Sequence, residues 1–430
     1  MLSRLRAAFR RRDLDEGNHA FCVLPWVHLS VDPSGWATLC CLSPETLVDE
    51  AGRGYNVRTH PFAEIFNSSA QKEVRRKMLA GEKVKHCTTC YNEERSGRSH
   101  RQHYNDLWLR GEHRGLGLAA KITRQREAAV VEKPASIEIR YGNLCNLRCQ
   151  ICNPQNSSMV EDDAVISAWN KVTYYGRGEH RFGGTGEWHE APALLDEVID
   201  FTGGVLEIKQ SGGEPTINKT IIAWLKSLIA TGRSSNIRLS IATNFSNTTP
   251  RFFDLLPKFK AVDLYLSVDG FGPLNDYLRY PSRWKVIERN AAYVRELQKT
   301  SPRITATVTP VVNVYNALSI VHLFEWAESQ GFGIIANEVR GVPQIDCMVI
   351  PRAGRLLAVE RIRAFMAASR AHKENVSIHS LCIKLEVDGA GSVEQFLAFT
   401  QAVDHDRGLR FETYCPETAA LLAASGQLSQ

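Results

Sequence analysis

Three cysteines, Cys145, Cys149 and Cys152, stand in the run IEIRYGNLCNLRCQICNPQNSS, residues 137–158, spaced C-x3-C-x2-C. Thiolates held this close can ligate three irons of a 4Fe–4S cube, whose irons normally take cysteine ligands. The fourth iron then has no protein ligand in the motif, so it is open to a substrate or cosubstrate. A structural zinc site, or three unrelated buried cysteines, is the plainer reading of the same spacing. A second set lies upstream: Cys22, one of the adjacent pair Cys40 and Cys41, and Cys87-x2-Cys90. These make four thiolates, a complete set that suits an electron-transfer cluster with no open iron, or a zinc ion. Eight of the 11 cysteines precede residue 153. The odd total and the clustering read as metal ligands in a reducing cytoplasm rather than as disulfide staples. Cys347, Cys382 and Cys415 stand alone and read as small buried hydrophobes.

The elements that must hold these thiols can be read from periodicity. Before Cys145, Ile137, Ile139 and Tyr141 alternate with Glu138 and Arg140, the period of a strand. The loop with the three cysteines therefore leaves the C-terminal end of a strand. Around the second set, FCVLPWVHLSVDPSGWATLCC (residues 21–41) reads as apolar strand, Asp-Pro-Ser-Gly turn and apolar strand, a hairpin. Two helices follow: one with Phe62, Ile65 and Phe66, and one from about Ala70 to Ala80, with Val74 and Met78 on one face and Gly81 as its stop. A polar helix with Glu93, Glu94 and Arg95 follows Cys90. Residues 111–134, rich in glycine and charge, read as a linker.

From 134 onward, strands near 135–141, 204–210, 237–243, 262–268, 303–310 and 332–339 alternate with amphipathic helices, the sign of a parallel sheet. The helices carry Ile221, Ile222, Leu225 and Leu228, then Val286, Ile287, Val294 and Leu297, then Leu323, Phe324 and Ala327. An excursion rich in Gly, Trp and His spans about 165–195. Beyond 350 the chain reads as helical.

These motifs resemble those of the radical S-adenosylmethionine enzymes, whose cluster loop is C-x3-C-x2-C after a strand. The residue before the third cysteine is often aromatic in that family; here it is Ile151. In the family, the open iron chelates S-adenosylmethionine, and reduction releases a 5′-deoxyadenosyl radical that abstracts hydrogen from an unactivated C–H bond. Ser211-Gly212-Gly213-Glu214-Pro215 resembles the GGE motif that holds the methionyl amino group, with Glu214 as an acceptor. Thr243-Asn244 resembles the family's Thr-Asn pair. Ser267 and Arg279 fit the groups that bind the ribose and carboxylate end of the cosubstrate. Val312 and Asn313 fall where the family contacts adenine and ribose.

Cys22-x12-Gly35-x4-Cys40 is similar to the opening of the auxiliary-cluster motif, whose half-size version is the twitch domain; the Gly35 spacing favours Cys40 over Cys41. Here it precedes the radical domain, and Cys87-x2-Cys90-Tyr91 with Glu94 resembles the N-terminal-twitch group. The closing segment of residues 396–417, with Asp404, Asp406-Arg407-Gly408 and Pro416-Glu417, resembles the same group. Two 4Fe–4S clusters and S-adenosylmethionine are the cofactors this implies, with a reductant such as flavodoxin or ferredoxin as partner.

The expected fold is α/β. It comprises a partial (β/α)6 TIM-like barrel over 135–350, a small α+β auxiliary-cluster domain over 16–110, a linker over 111–134 and a helical segment over 351–430. Residues 1–15 form a basic arm with Arg4, Arg6, Arg10, Arg11 and Arg12, either an amphipathic helix for an acidic surface or a solvated terminus. Net charge of +5 is too small to argue for nucleic acid, and no apolar run approaches a membrane span.

The implied substrates are a peptide side chain, oxidised or cross-linked in natural-product maturation, or a small sugar, cyclitol or amino-acid-like metabolite that is dehydrogenated or epimerised. A cluster- or zinc-binding scaffold without that chemistry is the non-enzyme alternative. Strand alternation points Ile137, Ile139, Leu206, Ile208, Leu264 and Leu266 at the outer helices. It points Glu138, Arg140, Glu207, Lys209, Asp263, Tyr265, Thr305 and Thr307 inward. Arg140 and Tyr265 are the candidate substrate contacts, and the lower polar residues can instead pair with one another.

Overall fold

The computed structural model describes residues 14–94, 99–124, 131, 133–170 and 192–425. The basic arm, Arg95 and most of the 165–195 excursion lie outside them. The chain forms two compact units. One takes residues up to Ile139 together with Asp196–Val205, and the other takes Arg140–Leu195 with Leu206–Gln430.

In the first unit, β1 (His28–Val31) pairs antiparallel with β2 (Ala37–Thr38) across the expected turn. Asp32 Oδ1 accepts from the N–H groups of Ser34 and Trp36 at 2.8 and 3.0 Å, and Gly35 takes φ +85°. The hairpin is shorter than the apolar run. Leu24–Val27 is a single helical turn, because Pro25 near its start has a ring-fixed φ that suits a helix N-terminus and no N–H to give a ladder.

β3 (Ser136–Ile139) runs parallel to β1, with His28 opposite Ser136 and Val31 opposite Ile139. The strand expected to open the barrel is thus grouped with the N-terminal unit. Helices Phe62–Phe66 and Ser69–Leu79 bury Phe62, Ile65, Phe66, Val74 and Met78. Ser68 caps the second through the Gln71 N–H, and Gly81 at φ +80° stops it.

The second unit is built on parallel strands β4 (Glu207–Gln210), β5 (Arg238–Thr243), β6 (Ala261–Leu266) and β7 (Ile304–Val308). β8 (Val311–Val312) leaves the sheet, β9 (Gly333–Ile334) pairs parallel with β7, and β10 (Asn337–Glu338) pairs with β8. The single strand expected over 332–339 is therefore two short strands in two sheets.

Intervening helices Lys219–Ala230, Trp284–Thr300 and Ile320–Ser329 bury the expected stripes, although Val286 and Leu297 remain half-buried. This is an α/β fold with a mostly parallel sheet, the repeat of a partial barrel. On β6, Val262, Leu264 and Leu266 are buried while Asp263 and Tyr265 are half-buried, as alternation requires. Leu206 departs from the expected inside–outside pattern: it is half-buried, while Ile208 and Gln210 are the buried residues at that parity on β4.

The polar face closes partly on itself. Arg238 Nε lies 2.6 Å from Asp263, and Thr305 Oγ1 donates to the same carboxylate at 2.8 Å. The C-terminal part is helical: Arg352–Ala368, Val376–Glu386, Val393–Arg407, Phe411–Tyr414 and Pro416–Ala424. Among the described residues, no helix is long and apolar enough to cross a membrane.

Candidate active site

The loop after β3 has too few neighbours in sequence to hold three thiols still, so it is tied down from outside. Ser157 Oγ donates to the Leu147 carbonyl at 2.8 Å, and Asn170 Nδ2 donates to the carbonyls of Gln150 and Cys152 at 2.8 and 2.6 Å. Backbone N–H groups of Arg148 and Gln150 donate to the carbonyls of Tyr280 and Leu278 at 2.8 and 2.9 Å. Cys149 is buried, Cys145 and Cys152 are partly exposed, and the three thiols lie near enough to oppose one another's ionisation.

Burial pushes the Cys149 thiol up to about 12 and pushes Cys152 and Cys145 up as well. A thiolate in this site therefore needs cationic company, which bound metal supplies by displacing the proton. Two side chains already point at the sulfurs. Asn244 Nδ2 donates to Cys145 Sγ and Arg279 Nη1 to Cys149 Sγ, each at 3.8 Å. Three cysteines with donors aimed at their sulfurs fit a 4Fe–4S cluster, and Cys145, Cys149 and Cys152 are the residues that would hold it.

Gly212 and Gly213 sit beside this loop at φ +78° and +59°. Packing against neighbouring chain requires both: a Cβ on Gly213 would lie 2.5 Å from the Leu144 carbonyl oxygen, and one on Gly212 would lie 3.1 Å from Arg140 Cδ. The pair lets the β4 loop pack on the cluster loop, where Glu214 N–H donates to the Leu144 carbonyl at 2.7 Å and Gly213 N–H to the Asn156 carbonyl at 3.0 Å.

Glu214 is 1 % exposed, and its carboxylate accepts from Thr216 N–H, Thr216 Oγ1 and Thr243 Oγ1 on Oε1 and from Asn244 N–H on Oε2, at 3.1, 2.7, 2.7 and 2.6 Å. Oε2, with one such bond, keeps an acceptor site. The side chain locks the ends of β4 and β5 together and thereby sets Asn244 against Cys145.

Arg279 is 7 % exposed. Its Nε lies 2.7 Å from Asp269 Oδ2, an ion pair too bent to count as a hydrogen bond. Burial opposes its charge, but Asp269 and then Cys149 hold its pKa above the usual arginine value. Its described partners are thus the cluster loop and Asp269, beside the cosubstrate role expected for it. Ser267 is half-buried at the end of β6, with its N–H bonded to the Thr243 carbonyl at 2.8 Å.

The Asn313 side chain is bonded within its own segment. It is fully buried in a turn of its own, where Oδ1 accepts from the Tyr315 N–H at 3.0 Å and Nδ2 donates to the Val311 carbonyl at 3.1 Å. Val312 is buried too. The residue that faces space is Val311, which lines a cavity with Ile151, Asn337, Glu338, Arg340 and Val342. Arg140 is buried against Gly212, and Tyr265 is half-buried near Asp263 and Lys209.

The first unit gathers the other set. Cys22, Cys40, Cys41, Cys87 and Cys90 line one cavity, with His86 and Arg101 among its other walls. Cys22 precedes the Leu24–Val27 turn, Cys40 follows β2, and Cys87 and Cys90 flank the start of helix Thr88–Glu93. Burial pushes the Cys22 thiol to about 12 and Cys90 to about 11, and Cys40 and Cys87 rise well above the ordinary range. The charge of Cys40 is opposed by Cys41, Cys87, Cys22 and Cys90, so the four thiols expected to act together are brought together.

Arg101, 4 % exposed, stands beside them and forks onto Glu94 at 2.8 and 2.9 Å. Among the described residues, no three or more His, Cys, Asp or Glu side chains close tightly enough on one point for a single metal ion. Thiols spread around a cavity suit the larger cube better than a zinc ion, whose sulfurs would all sit about 2.3 Å from one centre.

Asp269, Arg407 and Arg101 were not among the expected site residues. Asp269 and Arg407 lie inside motifs already singled out, Ser267-Val268-Asp269-Gly270 and Asp406-Arg407-Gly408; Arg101 has no local signal beyond its charge.

Two cysteine sets, one of three on a loop of a parallel α/β unit and one of four around a cavity of a smaller unit, fit two iron–sulfur centres. The model for the radical SAM superfamily matches residues 139–327, and that for the SPASM iron-sulfur cluster-binding domain matches residues 22–91. The chain thus carries a radical SAM domain, preceded by an iron–sulfur cluster-binding domain. Its cofactors are a 4Fe–4S cluster, an auxiliary iron–sulfur cluster and S-adenosylmethionine.

The chain is 23% identical over 229 residues to GTP 3′,8-cyclase of Nitrobacter winogradskyi, a match that takes in 53% of this chain and 58% of that protein. Among solved structures it is similar to Streptococcus suis SuiB bound to S-adenosylmethionine, with 16% identity, TM-score 0.37, and 59% of this chain and 49% of that one covered. It is also similar to anSMEcpe with bound AdoMet, with 17% identity, TM-score 0.36 and coverages of 55% and 61%. The chain therefore spans about half to three fifths of the length of these relatives.

Proposed function

We propose that this enzyme cleaves S-adenosylmethionine reductively and uses the resulting radical to take hydrogen from a polar substrate, a peptide side chain. The observation that carries the reading is the inequality of the two cysteine sets. Cys145, Cys149 and Cys152 fall one ligand short of a cube, while Cys22, Cys40, Cys87 and Cys90 complete one. When bound, the three-cysteine cluster supplies an open iron and a low-potential electron; the four-cysteine cluster supplies an electron acceptor or relay.

The protein's own part is to hold and orient. Glu214, Thr243 and Asn244 fix the loop ends beside Cys145, and Arg279 with Asp269 does so beside Cys149. Ser267 offers a hydroxyl to the cosubstrate, and Ile151 with Val311 offers an apolar wall to its base. Arg140 and Tyr265 are assigned to substrate from strand alternation: Tyr265 lies on the half-buried polar face of β6, and Arg140 follows the last residue of β3. The ladder of Arg238, Asp263 and Thr305 closes the lower part of that face by self-pairing, which leaves the upper part to the substrate. A flavodoxin or ferredoxin is the proposed electron donor.

The test is anaerobic reconstitution with excess reductant, followed by detection of 5′-deoxyadenosine. Wild-type protein is expected to form it and Cys149→Ala is not. Formation that survives the loss of Cys149 overturns the reading. Arg140→Ala and Tyr265→Phe are expected to retain uncoupled cleavage while product formation falls.

A further inference from the structure

The C-terminal helix Val393–Arg407 ends against the cluster loop, and its last residue has no role in the reading so far. The Arg407 side chain has no exposed surface. Its Nη2 donates to the carbonyl of Arg148 at 2.6 Å, one residue before Cys149. Its guanidinium lies over the Tyr280 ring at 5.1 Å, and the Tyr280 carbonyl accepts from the N–H of the same Arg148.

Nε and Nη1 are buried with no hydrogen-bond partner. The nearest carboxylate oxygen, Asp163 Oδ2, stands 3.7 Å from Nη2 and also accepts from Arg148 Nη1 at 3.4 Å. A buried guanidinium with two unspent donors is an expensive group, and an apolar side chain of the same length often serves a fold better. Gly408, at φ +63°, ends the helix at this point, so the position of the guanidinium is set by the chain and not by chance rotation of a surface arginine.

We propose that Arg407 is a positioning residue for the radical cluster. It clamps the Arg148 carbonyl so that Cys149 is presented at a fixed place, and it supplies, with Arg279, a second buried positive charge beside the Cys149 sulfur. The inference rests on the assignment of Cys145, Cys149 and Cys152 to a cluster. The Arg148 carbonyl that Arg407 bonds at 2.6 Å is joined by one peptide unit to Cys149, which places the charge within electrostatic reach of that residue. A fixed positive charge favours the more negative, reduced state of a cluster, so its removal lowers the reduction potential.

The two parts of the proposal separate by substitution. Arg407→Met removes clamp and charge; Arg407→Lys keeps the charge but has no planar fork to bond the carbonyl while stacking on Tyr280. Each is reconstituted as full-length protein and measured in two ways. One is the rate of iron release to a chelator; the other is an EPR-monitored potential of the cluster whose signal changes on addition of S-adenosylmethionine. Arg361→Met, which breaks the ion pair to Glu417 at 2.7 Å and a hydrogen bond to the Leu318 carbonyl at 2.8 Å in the same helical region, is the control.

Arg407→Met is expected to release about half its iron at least about tenfold faster than wild type and to shift the responsive cluster to a more negative potential. Arg407→Lys is expected to speed release while it holds the potential near wild type. Arg361→Met is expected to change neither. If Arg407→Met leaves both readouts at wild-type values, or speeds release from both clusters alike, the proposal is overturned. If wild-type protein shows no cluster that responds to S-adenosylmethionine, the functional reading itself has failed, a result distinct from either.

Discussion

The two cysteine sets solve opposite problems. Three thiols within eight residues are close by covalent necessity, but their loop has no regular structure to fix it. Four thiols from residues 22, 40, 87 and 90 are far apart in sequence, so only a folded unit can bring them together. The first set is accordingly laced from outside, by Asn170, Ser157, Tyr280, Leu278 and the Glu214 network. The second rests on a hairpin turn, a proline-started helical turn and a short helix whose positions are fixed by the unit's own core. A locally encoded site thus depends on distant support, and a distantly encoded one depends on its domain.

That contrast is broken most decisively by removing one set. The triple Cys145/Cys149/Cys152→Ala variant is expected to keep about half the iron of a protein with two 4Fe–4S clusters, roughly four of eight irons per chain. Iron and sulfide analysis after anaerobic reconstitution measures it. Loss of all the iron would mean that the sets are not independent, and zinc retained in its place would remove the auxiliary cluster from the account.

A point change away from any ligand sharpens the claim that the loop is held from outside. Gly213→Ala places a methyl group against the Leu144 carbonyl in a left-handed backbone, a strain of about 2 kcal/mol or more. It is expected to speed iron loss from the three-cysteine set and leave the four-cysteine set unchanged. Glu214→Ala strands the Thr216, Thr243 and Asn244 donors at about 1–3 kcal/mol for each group left unsatisfied, and it is expected to weaken the same cluster. Had Glu214 instead bound only the cosubstrate's amino group, the variant would raise the S-adenosylmethionine requirement without touching iron retention.

The same division decides what was legible in the sequence. Cys145, Cys149 and Cys152, the strand before them and the alternation of β6 are local patterns, and they stand where spacing and period place them. The gathering of Cys22, Cys40, Cys87 and Cys90 was legible only through resemblance, since no spacing rule joins residues 40 and 87. What periodicity misplaced was decided by tertiary pairing. Residues 332–339 read as one strand and divide between two sheets. Side-chain roles were the least legible. Glu214 has the residue type of a ligand contact and also gathers two threonine hydroxyls and two backbone N–H groups, and no sequence pattern records which donors a fold aims at a carboxylate. Arg407 was visible in its motif, but the carbonyl it reaches is 259 positions away.

The smallest effect concerns the second set and bears on pH. Glu94 accepts from Arg101 at 2.8 and 2.9 Å and from Ser99 Oγ at 2.6 Å. Burial pushes its pKa up, but the hydrogen bonds from Arg101 and Ser99 outweigh that and hold it below the ordinary carboxylate value. A carboxylate with a lowered folded pKa contributes stability above its unfolded pKa, and that contribution is lost as pH falls through the folded one. Cluster-free protein is therefore expected to lose part of its stability on acidification below about pH 4.5, the ordinary glutamate value. The Glu94 side chain is half-buried, with 17 % of its surface exposed, and solvent screening keeps the effect small, on the order of 1 kcal/mol or less. Glu94→Gln is expected to flatten this part of the pH profile of thermal unfolding and to cost a comparable amount at neutral pH. Because Arg101 also stands beside the four thiols, the same variant leaves its charge less opposed and is expected to raise the potential of the auxiliary cluster slightly. The three-cysteine cluster, held by its own lacing, is expected not to respond. An equal shift in both potentials would show that the two sets are not separately supported.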